Sequence, residues 1–378
     1  MKKNTQSKLI ILIGSCPISA LGGAGRVINS YINHYKNNSH EYIFLPIHTR
    51  KGNRFFRIRP LFFSYIKAIW IRFKLRDHKL VIHHHHTTIY DLFAFLILKL
   101  TTGISKSNSL ITFHNPKYFE IISSLGKSRK KSKQNSSKFI NTIKINFLKL
   151  YFKSTNRFFN NLHFLNSINY ESVRNNINPK AKILIKQNPL SEKQFTVLKE
   201  NIKKSNKELG NNKIIGTYAL MRKGKRLDRA IKMMESLPKN YSLLIGGKGP
   251  EEGSLRKLVK KLNLESRIKF LGWMDEKIKE KFFKSINIFL ITSDADTHSL
   301  VFLEAITNRM PVISVPNPVF KEIYPEGICA NYAKDLNPAS LAEEIILYKN
   351  KQLFSLNSSK FILNQQKNNT YAENLFNE

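Results

Sequence analysis

The stretch at residues 293–314, SDADTHSLVFLEAITNRMPVIS, decides how this chain is read. It places two carboxylates, Asp296 and Glu304, eight positions apart. The residues before it, 288–292, have the apolar character of a buried strand. Residues 300–308 have helical character, and an apolar run at 311–315 supplies the next strand. Asp296 therefore falls in a loop, Ser299 and Leu300 open a helix, and Glu304 lies about one turn inside it. The free N–H groups at a helix start attract anions, phosphate above all. For Asp296 a plain helix N-cap is the alternative role. Glu304 sits among apolar residues, where a carboxylate needs a partner. Nothing in its own helix offers one, so Glu304 points to a ligand.

The pattern extends outward in both directions. Residues 213–218 read as a strand, 226–236 as a helix, and 242–245 as a strand ending in Gly246-Gly247-Lys248-Gly249-Pro250. A helix at 251–262, a strand at 268–271 and a helix at 275–285 follow. In the first half, a strand at 9–13 runs into a loop with Gly22, Gly23 and Gly25, then a helix at 26–35. Further strands are expected at 41–46, 80–84, 110–114, 163–166 and 183–186. Strand, glycine-rich turn, helix is the opening of a doubly wound α/β sheet. The polar, lysine-rich residues 191–212 read as the connection between two such series.

A chain of 378 residues is long enough for two domains. The expected division is 1–190, 191–355 and a C-terminal tail at 356–378 that packs back on the first domain. Lys and Arg number 63 against 26 Asp and Glu, a net charge of +37. That balance suits nucleic acid, an anionic membrane surface or phosphorylated substrates. A chain rich in Lys, Asn and Ile together, as AT-biased coding produces, is a further source of charge. The arginines are not confined to one motif, and no helix-turn-helix, zinc or RNA-binding signature is present. A basic nucleic-acid-binding protein is thus the second reading. A nucleotide-dependent dehydrogenase is a third, opposed by the lack of G-x-G-x-x-G after the first strand.

Two segments, 54–79 and 127–159, interleave Lys and Arg with Phe, Tyr, Trp and Ile, a composition that suits an anionic bilayer surface. The other reading of each is a helix with one core face and one solvated basic face. The apolar run at 9–13 is shorter than the roughly 7–15 residues of a signal h-region, and reads as a buried strand. Cys16 and Cys329 build neither a disulfide framework nor a metal-ligand spacing. A reducing cytoplasm fits them best. The run His83–His86 alternates faces on a strand, so its rings cannot converge on one metal ion. One or two of them are expected near substrate, as is His114 at the end of the strand 110–114.

Taken together these motifs resemble retaining GT-B glycosyltransferases of family 4. Residues Asp296 to Ile306 and Pro311-Val312-Ile313 are similar to the family's E-x7-E stretch. Gly247-Lys248-Gly249-Pro250 resembles its G-x-G-P turn, and Ile268 to Gly272 its V-x-F-L-G. Lys223-Gly224 resembles its K-G. Asn188 to Phe195 resembles its domain-junction motif, Gly22 to Gly25 its acceptor-side glycine loop, and Thr112-Phe113-His114 the site of its active histidine. The likeness runs in order from about residue 8 to 345.

The resemblance implies an α/β GT-B fold, two Rossmann-like doubly wound domains facing a central cleft. It implies transfer of a sugar from a nucleoside-diphosphate sugar to a glycan or lipid-linked acceptor in surface polysaccharide or lipopolysaccharide synthesis. The implied place is the inner face of the plasma membrane, with no metal, no other cofactor and no nucleic-acid partner. Glu304 would bond the ribose, Asp296 the donor-sugar hydroxyls, and Lys223 with Arg222 the diphosphate. Gly22 and Gly23 would approach the transferring centre, and His114 the donor sugar. The departures are Asp296 in place of Glu, Thr297 and His298 in place of Gly and Phe, and Arg309 in place of Gly. The family's arginine before Lys-Gly is missing at 217–220, with Arg222 as the candidate replacement. A catalytically impaired homologue is the further alternative these departures raise.

Overall fold

The computed structural model describes residues 8–14, 27–32, 41–46, 79–86, 109–114, 159–203, 213–293, 296, 298–348 and 352–367, together with positions 66, 69, 70 and 73. The chain divides into two units, the first running to Glu192 and the second from Lys193 to Asn368.

The first unit holds a six-stranded parallel sheet. Its strands are β1 Lys8–Gly14, β2 Glu41–Pro46, β3 Lys79–His86, β4 Ser109–Phe113, β5 Asn161–Phe164 and β6 Lys182–Ile185. They lie in the order β2-β1-β3-β4-β5-β6. Ile11 pairs with Ile43 on one side and with Ile82 on the other. The β-branched and Leu-rich runs of β1, β3 and β4 are buried on both faces, as the strands of a parallel sheet covered by helices must be. The buried polar residues in these strands are the histidines at the C-terminal end of β3 and Ser109 and Thr112 of β4.

The second unit holds β7 Lys213–Tyr218, β8 Tyr241–Gly246, β9 Ile268–Gly272, β10 Ile288–Ile291, β11 Val312–Ser314 and the short β12 Asn331–Tyr332. Their order is β12-β11-β10-β7-β8-β9, all parallel. The chain winds outward from β7 through β8 to β9. It then returns to place β10 beside β7, and winds the other way. β7 and β10 are thus neighbours whose connections leave toward opposite sides, the switch point at which open α/β sheets bind ligands.

The helices begin where the sequence supplies caps. Asp275 accepts from Ile278 N at 2.8 Å to start helix Glu276–Ser285, and Asn317 and Asn337 each cap a helix with proline at its start. Residues 356–367 belong to helix Gln352–Lys367, which packs on helix Leu300–Thr307 and buries Ser358, Ser359 and Ile362. The rest of the expected tail, 368–378, lies outside the described residues. Among the described residues no helix is long and apolar enough to cross a membrane.

Candidate active site

The switch point of the second unit collects most of the residues singled out above. After β7 the chain makes a 3-10 turn, Lys223–Lys225, and enters helix Leu227–Met233. After β10 it runs through Thr292 and Asp296 into helix Leu300–Thr307. Three contacts tie the two connections together. Lys225 Nζ pairs with Asp296 Oδ2 at 2.7 Å, Thr292 Oγ1 donates to the Lys225 carbonyl at 2.9 Å, and the buried Arg229 donates to the Thr292 carbonyl at 2.9 Å. Asp296 is mostly buried beside its lysine, with 16% of its side chain exposed.

The N-cap of helix Leu300–Thr307 is Ser299, not Asp296. Its Oγ accepts from Phe302 N at 3.4 Å. Asp296 is left to face Lys225, while the Ser299 hydroxyl is committed to the helix start. Leu300 opens the helix as expected. His298 is buried against the Tyr324 ring, 6.3 Å between centroids. Burial pushes its imidazole down to about 4, against the pull of Asp296 in the opposite direction.

Glu304 has two partners that its own helix does not show. The Tyr218 hydroxyl, at the end of β7, donates to Oε2. Lys279 Nζ, from helix Glu276–Ser285, reaches Oε1 at 3.3 Å. Both ends of that ion pair are nearly buried, at 13% exposure for Lys279 and 10% for Glu304. The carboxylate is therefore fixed from two directions, by partners that lie outside its own helix. Each oxygen keeps lone-pair capacity for a further donor, since a carboxylate offers about four acceptor sites. The helix carrying Glu304 is anchored by Phe302, whose ring stacks on Tyr324 at 3.9 Å and 10°.

Tyr218, Lys225 and Lys279 were not singled out from sequence. A signal existed for Lys279. It precedes Phe282 and Phe283 by three and four positions, so it shares their buried face.

Gly247 adopts φ 109°, and a Cβ there would lie 1.9 Å from the Ala219 carbonyl oxygen. The glycine turn is zipped to the β7 connection: Ala219 N donates to Gly246 O, and Met221 N to Lys248 O at 3.0 Å. Close approach is thus required here, by one loop backbone to another. Arg222 and Lys223 are exposed and line an open groove of about 660 Å³ with Arg226, Lys232, Asp228 and Glu251. Neither Asp296 nor Glu304 lines that groove.

In the first unit, Gly22 and Gly23 lie outside the described residues. His114 follows β4, half-buried, with Nε2 2.9 Å from His85 Nδ1 and the two rings stacked at 5.2 Å. His83 and His85 share one face of β3 with Tyr31 against both, while His84 turns to the other face against Phe159. The expected alternation of the histidine run is what the strand shows.

A hydrogen-bond chain fixes the protons in this cluster. His163 Nε2 is 2.7 Å from the Lys186 carbonyl, which can only accept, so Nε2 carries the proton. The Thr112 hydroxyl then donates to His163 Nδ1 at 2.9 Å and accepts from His83 Nε2 at 2.7 Å. Burial pushes His163 down to about 4, against the Lys186 hydrogen bond, and lowers His85 well below its usual value.

These imidazoles are neutral when folded, whereas the unfolded chain takes up protons below about 6.5. Stability is therefore expected to fall as pH drops from 6.5 toward 4, by roughly 2 kcal/mol for His163 at pH 5. Thermal melts at pH 7 and pH 5 check this, and His163→Gln should shrink the difference between them.

Residues 198–368 match the sequence model of the family described as Glycosyl transferases group 1. That match takes in nearly the whole of the second unit. Among curated relatives, this chain is similar to O-antigen biosynthesis glycosyltransferase WclY of Escherichia coli. That match is 30% identical over 148 residues, 39% of this chain and 40% of the relative, so it spans less than half of that protein's length. Two solved structures resemble the whole chain. HepE from Anabaena, in complex with UDP and glucose, superposes with a TM-score of 0.61 at 14% identity, covering 96% of this chain and 95% of its own. Sucrose-phosphate synthase from Thermosynechococcus elongatus gives 0.66 at 13%, covering 98% and 96%. The likeness establishes the fold: the two units are the two Rossmann-like parallel-sheet halves of a GT-B fold.

Proposed function

We propose that this chain is a retaining glycosyltransferase that moves a sugar from a nucleoside-diphosphate sugar to a glycan or lipid-linked acceptor in bacterial surface polysaccharide synthesis. The observation that carries the reading is the pair of oriented carboxylates at the switch point of the second unit, Asp296 held by Lys225 and Glu304 held by Tyr218 and Lys279. Two carboxylates with fixed orientations suit the hydroxyls of a ribose and a sugar, because each oxygen can accept from a hydroxyl without moving.

As the sugar leaves, negative charge grows on the nucleoside diphosphate. Arg222 and Lys223 are the cations assigned to it, in place of a metal ion, and the first turn of helix Leu300–Thr307 adds its amides. His114, held by His85, meets the donor sugar. WclY supports an O-antigen or related acceptor, and the UDP in HepE makes uridine nucleotides the first donors to try. Catalysis at the inner face of the plasma membrane completes the reading.

A thermal-shift panel of nucleotides and nucleotide sugars tests it. A rise in melting temperature with one uridine, guanosine or adenosine diphosphate series is expected, growing with concentration as RT ln(1 + [L]/Kd) requires. If no nucleotide or nucleotide sugar shifts the melt, the reading is wrong.

A further inference from the structure

Positions 66, 69, 70 and 73 are helical and carry Ile66, Ile69, Trp70 and Phe73, exposed to 51%, 37%, 62% and 77%. Their spacing, i, i+3, i+4 and i+7, puts all four on one face of a helix. A water-soluble surface helix would turn that stripe toward a core. Here large apolar side chains, two of them aromatic, point outward together. Exposed apolar clusters of this kind mark interaction sites.

The sequence around the stripe says what covers it. Residues 54–79 carry eight Lys or Arg against a single acid, Asp77. A second copy of this chain would bring two such basic segments face to face, which opposes pairing. Duplex nucleic acid would satisfy the charge and leave the isoleucines with nothing apolar to enter. An anionic bilayer satisfies both. Its acyl region takes the isoleucines and Phe73, its headgroup layer suits the amphipathic indole of Trp70, and its phosphates offset the positive charge of the segment.

We infer that Ile66, Ile69, Trp70 and Phe73 form a membrane-docking face that inserts into the surface of an anionic bilayer. The face lies outside every residue assigned to sugar transfer. Its failure and the failure of the glycosyltransferase reading are therefore separable, because vesicle binding is read without nucleotide and nucleotide binding without vesicles.

The chain has two tryptophans, Trp70 and Trp273. In the full-length Trp273→Phe variant, Trp70 is the sole reporter. Equimolar phosphatidylglycerol and phosphatidylcholine vesicles are expected to shift its emission to the blue, and lipids brominated on the acyl chain to quench it. Pure phosphatidylcholine vesicles should do so at least about tenfold more weakly, as should high salt. Replacing Ile69 and Phe73 with serine in that background should lower partition by about tenfold or more, with the melting temperature unchanged because both side chains are exposed. Three results would overturn the inference: emission that ignores anionic vesicles, an equal blue shift with DNA or RNA, or a shift that follows protein concentration alone and so reports a second copy.

Discussion

Glu304→Gln is expected to abolish the nucleotide-induced rise in melting temperature and to lower turnover by about a hundred- to a thousandfold, the scale seen when one oriented polar group is lost from an active site. The change keeps the shape of the side chain and removes its charge. Tyr218 still finds an acceptor, but Lys279, only 13% exposed, loses one of its two carboxylate partners and keeps only the exposed Glu276, at 3.3 Å. Losing the buried partner of a nearly buried ammonium costs about 1–3 kcal/mol, so the variant should also be less stable. That coupling would blur the result if only one variant were measured. Lys279→Met combined with Glu304→Gln separates the two effects. The double variant should regain most of the lost stability, because no ammonium is left without its buried partner, and should still ignore nucleotide. A Glu304→Gln protein that responds fully to nucleotide would make Glu304 a structural counter-ion and nothing more.

Gly247→Ala should destabilise the second unit by more than roughly 3 kcal/mol, the range reserved for backbone conflicts and core disruption. The added methyl meets a backbone oxygen at 1.9 Å, so no rotamer change relieves it. The residue also holds φ 109°, which an L side chain adopts only with strain. The loops cannot part easily. Gly247 N donates to Gly272 O at 2.6 Å, and Glu251 N to Met221 O at 3.0 Å. Gly253→Ala is the matched control. It lies in helix Glu252–Lys261, with open space where a Cβ would go, so it should gain about 0.5–1 kcal/mol. Denaturant midpoints of the two variants should move in opposite directions. Similar midpoints would show that the glycine turn yields.

Periodicity and turn chemistry made much of this fold legible. The alternation of apolar runs, glycine turns and amphipathic stretches predicted nearly every strand of both sheets, because local patterns report local structure. β12 was missed because two residues carry no period. Helix Gln352–Lys367 gave no apolar period to read, because two of its buried positions, Ser358 and Ser359, are serines.

The positions of Asp296 and Glu304 were also readable, but their partners were not. Lys225, Tyr218 and Lys279 lie 71, 86 and 25 positions from the carboxylates they meet, and only tertiary structure sets those distances. Arg309 stands where the resemblance expects glycine. It takes φ 58°, the left-handed conformation expected of the glycine it replaces, at a strain of about 1–2 kcal/mol.

The neighbourhood of β7 and β10 has a consequence for how the protein is made. The hydrogen bond from Ile214 N to Asn287 Oδ1 closes a span of 73 residues, and the pairing of Ile215 with Ile288 closes a similar one. Contacts of that separation carry a large loop-closure entropy, so they form slowly and late. On a ribosome, β7, β8 and β9 emerge well before their partner on the other side of the sheet. The carboxylate corner is therefore among the last parts of the second unit to assemble.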